Sequence, residues 1–95
     1  MPVYAIIEIT IKDRDTYFEY VNRVRAIVEK YKGRYLIRGG KVTPFLGGWY
    51  PERIILIEFP SSEDFTKCFG SQEYKEIAPL RECSTISKSV LVEGL

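Results

Sequence analysis

The sequence predicts an α+β fold: one antiparallel sheet carrying its helices on a single face, built in the order β-α-β-β-α-β. Three observations carry this. Residues 3–12 alternate between two sets of side chains, the period of a strand. Residues 17–31 repeat apolar side chains every three or four positions, the stripe of a helix packed along one side. Residues 53–59 are apolar on both alternating sets, as in a strand covered on both faces.

In the first strand Val3, Ala5, Ile7, Ile9 and Ile11 form one face, and Tyr4, Ile6, Glu8, Thr10 and Lys12 the other. Asp13 or Asp15 supplies a side-chain acceptor to cap the next helix. Its stripe is Tyr17, Val21, Val24, Val28 and Tyr31, and Gly33 is placed to stop it. Arg34–Gly40 reads as the second strand, with Tyr35 and Ile37 on one face and Leu36 and Arg38 on the other. Gly39-Gly40 marks a bulge or a close backbone approach. Residues 41–51 form a loop containing Pro44, Gly47-Gly48, Trp49, Tyr50 and Pro51. The third strand, Arg53–Phe59, stops at Pro60. Ser61 or Ser62 caps the following helix, and Ser61 with Asp64 has the spacing of a capping box. Phe65, Cys68 and Phe69 give that helix its apolar face. After Gly70, Ser71 caps a short further helix bearing Tyr74, Ile77 and Ala78, which Pro79 is expected to end. Ile86–Glu93 is the last strand, with Ile86, Val90 and Val92 on one face.

Ninety-five residues suit one domain, residues 1–95. Fourteen basic and thirteen acidic residues leave a net charge of +1, too little to steer nucleic acid or acidic lipid. The basic run Arg23, Arg25, Lys30, Lys32, Arg34 and Arg38 reads as a solvated helix face. No apolar run approaches the roughly 18 residues that cross a bilayer. Met1-Pro2-Val3-Tyr4 lacks the basic start of a signal peptide, so the cytoplasm is the expected location. There is no histidine, and Cys68 and Cys83 match no zinc spacing. No metal or cofactor is expected, and acid–base chemistry falls to carboxylate, tyrosine, lysine, cysteine or bound water. A disulfide is not expected in such a chain.

The element order is the ferredoxin-like split β-α-β arrangement. Right-handed crossovers put the helices on one side of the sheet. The other side has no cover from its own chain, yet Ile54 and Leu56 face it, with Tyr4, Ile6, Leu36 and Leu91 as candidates to join them. So large an apolar patch marks an interaction surface. A second copy packed face to face is the expected partner, making a homodimer.

Tyr35-Leu36-Ile37-Arg38-Gly39-Gly40, Gly48-x-Tyr50-Pro51-x-Arg53, Ile57-Glu58-Phe59-Pro60-Ser61, Ser71-x-Glu73-Tyr74 and Leu80-Arg81 occur in that order. Together they resemble the domain-of-unknown-function 1330 family over nearly the whole chain. The resemblance implies a dimeric α+β barrel, two sheets facing each other, with no established activity. Its wider superfamily includes cofactor-free monooxygenases, lactone isomerases and haem enzymes. The chain departs from the family at Gly47, where an acid is common, and at Cys68, where a tryptophan is common.

Arg38 is the first candidate site residue, since a guanidinium beside two glycines suits a carboxylate or phosphate. A structural ion pair with Glu8 or Glu58 is its bland alternative. Glu8 and Glu58 lie among apolar neighbours, where burial would raise a carboxylate toward use as a base. Trp49 and Tyr50 are loop aromatics that could line a ligand site or plug a sheet edge. Tyr74 and Arg81 could hold a ligand oxygen or anion, or be core and cap. Two functions follow. One is a small-molecule enzyme or binder that takes an anionic or carbonyl compound and performs cofactor-free proton transfer, isomerisation or oxygenation. The other is a non-catalytic dimeric module with no ligand-sized cavity. A one-residue register slip would reverse every face assignment above.

Overall fold

The computed structural model describes residues 1–95. Its elements are β1 (Val3–Ile11), α1 (Arg14–Lys30), β2 (Arg34–Arg38), β3 (Arg53–Phe59), α2 (Ser62–Phe69), α3 (Gln72–Ser84) and β4 (Thr85–Glu93). The four strands form one sheet in the order β2-β3-β1-β4, antiparallel throughout. This is a ferredoxin-like α+β fold. The Cα trace spans 35 × 34 × 17 Å, the thickness of one sheet and one helix layer. No helix is long and apolar enough to cross a membrane.

The period-two pattern of β1 and β3 sorts their side chains as expected. Val3, Ala5, Ile9, Ile55, Ile57 and Phe59 are buried under the helices, where Tyr17, Tyr20, Val24 and Val28 of α1 and Tyr74 and Ile77 of α3 meet them. Asp13 is the N-cap of α1, its carboxylate accepting from the Thr16 N–H at 3.3 Å. Ser61 caps α2 by accepting from the Asp64 N–H at 3.2 Å. Ser71 caps α3 by accepting from the Tyr74 N–H, and its hydroxyl donates to the Cys68 carbonyl, so one serine closes α2 and opens α3.

Four local expectations are corrected. Gly33 does not supply the left-handed turn after α1. Lys32 takes it at φ 72°, and the Gly33 N–H reaches back to the Val28 carbonyl at 2.8 Å, a Schellman closure. Gly33 is needed for space instead, because a Cβ there would lie 2.5 Å from the Val28 side chain. Pro79 does not end α3. The helix runs through it to Ser84, anchored by burial of Tyr74 and Ile77 before the proline and Ser84 after it. Leu91 pairs with Ala5 and so belongs to the helix side; Ile86, Val90 and Val92 occupy the open face of β4.

The fourth correction matters most for function. Tyr35 pairs with Ile57, but Ile37 pairs with Leu56, so Leu36 is an extra residue at a bulge. A bulge inserts one residue on one strand and reverses the parity of all that follow. Arg38 therefore pairs with Ile55 and shares the helix-side face with Tyr35, not the open face.

Candidate functional site

Strand register places the helix-side residues in rows across the sheet. Arg53, Ile9 and Ser87 form one row; Arg38, Ile55, Ile7 and Ser89 the next; Tyr35, Ile57, Ala5 and Leu91 the third. Each row is apolar in the centre and polar toward one or both edges. Tyr17, Tyr20, Val21 and Val24 of α1, Phe65 and Phe69 of α2, and Tyr74 and Arg81 of α3 close over them. Between sheet and helices lies a cavity of about 630 Å³. That volume suits a small organic molecule, and the mostly apolar lining with few polar groups is the usual anatomy of such a site.

The charge of the lining is one-sided. Arg38, Arg53 and Arg81 face the cavity, with Arg25 and Lys88 also in its lining, and no aspartate or glutamate contributes to it. Arg25 is paired with Glu29 and Lys88 with Glu8. The other three arginines form no ion pair. Arg53 is held in place by neutral groups: its Nε donates to the Tyr17 hydroxyl at 3.1 Å and an Nη donates to the Arg38 carbonyl at 3.2 Å. Gly39 makes this possible, since a Cβ there would sit 2.3 Å from the Arg53 guanidinium. Arg38 lies over the Tyr35 ring, 5.7 Å from its centroid.

On the other side of the cavity the Tyr20 and Tyr74 hydroxyls are 2.9 Å apart. Arg81 donates from Nε to the Tyr74 hydroxyl at 3.2 Å and from Nη1 to Ser87 at 3.4 Å. Burial pulls the Arg81 guanidinium down, but Tyr74, Tyr20 and Glu82 outweigh it and hold it above its ordinary range. Burial, with the Tyr74 hydroxyl beside it, pushes Tyr20 far up; burial does the same to Tyr35. These two phenols stay protonated and can donate to a ligand oxygen, but are poor bases. Burial also pushes the Cys68 thiol up to about 12, which disfavours the nucleophilic thiolate.

The sequence-predicted residues divide. Arg38, Tyr74 and Arg81 line the cavity. Glu8 and Glu58 sit on the opposite sheet face, so neither meets Arg38. Glu58 accepts from Arg34 at 2.8 Å and from the Tyr4 hydroxyl at 2.9 Å, and Glu8 lies 3.9 Å from Lys88. The Tyr4 hydrogen bond, and then Arg34, hold the Glu58 carboxyl below its usual range. Desolvation pulls the other way and is outweighed, so the group is not raised toward use as a base. Trp49 and Tyr50 are exposed on the loop between β2 and β3, outside the cavity lining. Arg53, Tyr17, Tyr20 and Tyr35 were not singled out. Arg53 was legible, for it shares parity with the inward Ile55 and Ile57. No three Asp, Glu or Cys side chains cluster as a metal site. The charged groups in the cavity lining are all basic.

Comparison with solved structures finds the same architecture in proteins of low identity. A protein of unknown function from Rhodopseudomonas palustris superposes with a TM-score of 0.85 at 15% identity, covering 99% of this chain and 82% of the other. SnoaB, a cofactor-independent oxygenase from Streptomyces nogalater, gives 0.67 at 10% identity over 99% and 93%. An antibiotic biosynthesis monooxygenase gives 0.57 at 16% identity over 100% and 99%. These likenesses establish the fold and leave activity open. No curated protein matches this chain. A family model matches residues 2–95, nearly the full length, and on that match the chain belongs to the family described as Domain of unknown function (DUF1330).

Proposed function

We propose that this protein binds a small organic anion in the cavity between sheet and helices, and that it works as a cytoplasmic homodimer with one such site per subunit. One observation carries the reading: three arginines with no carboxylate partner converge on a cavity that has no acid in its lining. Arg53 and Arg81 are half-buried with only neutral hydrogen-bond partners, so their charge has lost part of its hydration and has no counter-ion in the protein; Arg38 is exposed. An anionic ligand restores that balance, and a carboxylate or enolate oxygen matches the planar donors of arginine. The apolar and aromatic walls take the rest of the molecule.

The chemistry that fits is cofactor-free: proton transfer, isomerisation or oxygenation of an activated organic substrate, the last being the class that SnoaB's description names. Positive charge fixed beside a carbonyl stabilises the enolate as it forms. Arg38, Arg53 and Arg81 supply that field. With no carboxylate in the lining, the proton leaves to water or to a group the ligand itself carries.

The homodimer rests on the open sheet face, where Ile6, Ile37, Ile54, Leu56, Ile86, Val90 and Val92 share one side with nothing over it. A non-catalytic module would also pair through this face. The sheet–helix cavity favours the binding reading over that one.

Benzoate is a suitable first probe, titrated calorimetrically. Arg53→Ala and Arg38→Ala are each expected to weaken it by about tenfold or more, the worth of one charge-assisted hydrogen bond. The native mass should remain that of two chains. Unchanged affinity in both variants would remove the arginines from the site, and no binding by wild type would sink the reading.

A further inference from the structure

Counting hydrogens around Tyr20 and Tyr74 points to a second pole of the same cavity. Both side chains are over nine-tenths buried. The Tyr74 oxygen accepts from Arg81, and a single hydrogen lies between the two hydroxyls. Two hydroxyls carry two hydrogens, so one is left without an acceptor in the protein, whichever tyrosine donates to the other. Around it, Thr85 donates to the Arg81 carbonyl at 2.7 Å, and the Ser87 hydroxyl, 2.7 Å from Thr85 Oγ1, is left to donate to that oxygen. The serine hydrogen is therefore committed too. Arg81 uses only Nε and one Nη1 hydrogen, leaving further donors for the cavity.

This pole is rich in donors: a phenol hydrogen that makes no hydrogen bond to the protein, beside a guanidinium. It lies across the cavity from Arg38 and Arg53. Arg53 and Ser87, the serine that Arg81 reaches, both pair with Ile9, one on each side, so Arg53 and the strand position beneath Arg81 are two strand spacings apart, about 10 Å at the backbone. Ile9, Ile7 and Ile55 floor the space between them.

We infer that the cavity is built for a two-ended ligand: a carboxylate at Arg38 and Arg53, and a carbonyl or enolate oxygen at Tyr20, Tyr74 and Arg81, joined by an apolar body about one aromatic ring long. This rests on the anion-binding reading of the same cavity, and names the class of molecule it takes. Tyr20 and Tyr74 are the residues that distinguish a keto acid from a plain acid.

The test compares benzoate with 4-acetylbenzoate, which adds a carbonyl opposite the carboxylate. Wild type is expected to bind 4-acetylbenzoate about tenfold more tightly, the worth of a buried hydrogen bond. Tyr20→Phe combined with Tyr74→Phe should erase that preference, read as the ratio of the two affinities within the same variant. Arg53→Ala should weaken both probes alike and keep the preference. Equal binding of the two probes by wild type would overturn the second pole while leaving the anion site standing. Failure of both probes to bind would overturn the two together. Because the wild-type comparison is decisive alone, the result does not depend on the double variant folding.

Discussion

Glu58 shows how one residue's environment decides its role. A carboxylate on an apolar strand invites a reading as a raised, basic group. Here the Tyr4 hydroxyl and Arg34 stabilise the charged form, and its pKa falls. A carboxyl whose folded pKa lies below its unfolded value adds stability that is complete above the ordinary carboxylate range. That stability is lost as pH falls through the folded value. Glu58→Gln should therefore be less stable than wild type at pH 7, and the two should converge at strongly acidic pH. Urea midpoints measured at both pH values check this, and a constant difference would place the loss elsewhere than in the charge. Arg53 is the complementary case. Its partners are a phenol and a carbonyl, so its charge stays unneutralised and available to a ligand.

Among the elements, β2 carries the most consequence for its length. Its bulge turns Arg38 inward, and the glycines after it hold the turn away from the strand. Gly39 and Gly40 have φ of 89° and 96°, a region that side chains resist. They differ in surroundings: a Cβ on Gly39 meets the Arg53 guanidinium, while one on Gly40 meets nothing within 4 Å. Both alanine substitutions should cost about 1–3 kcal/mol of stability from backbone strain. Only Gly39→Ala should also weaken benzoate binding, by displacing Arg53. Chemical denaturation and calorimetry on the pair separate strain from site geometry; equal affinities would show that Arg53 adapts. α3 matters in a similar way. By continuing through Pro79 it carries Arg81 on a helix rather than a loop, where its Nε can reach Tyr74 two turns back on the same face.

At the scale of the whole molecule, a slab 17 Å thick has two broad faces and only one layer of helices. On the open face the apolar residues outnumber the charges. Val90 lies on the edge strand β4, paired with Ile6, and is more than half exposed. Val90→Glu should convert a native mass of two chains into one, because a carboxylate in an apolar seam has no partner. Two chains from the variant would move the interface elsewhere. On the proposed reading the two tasks are separate, with assembly on the open face and ligand binding on the covered one.

The order of elements, the faces of β1 and β3, and the cap at Ser71 were legible in the sequence, and the caps at Asp13 and Ser61 were legible to within a choice of two residues each. Each depends on neighbours within a few residues, where periodicity and hydrogen-bonding side chains act directly. The apolar open face was legible too, since the third strand is apolar on both sides. The membership of the site was legible only in part. Tyr74, Arg81 and Arg38 could be singled out by residue type, but the face of Arg38 hung on a bulge that local composition does not place between Tyr35 and Ile37. Meeting of Arg53 with Tyr17, and of Arg81 with Tyr74 and Ser87, depends on strand register and on a helix that passes a proline. Tertiary packing alone decided these, because contacts between distant segments are set by how the layers fit, and a shift of one residue turns a side chain from one face to the other.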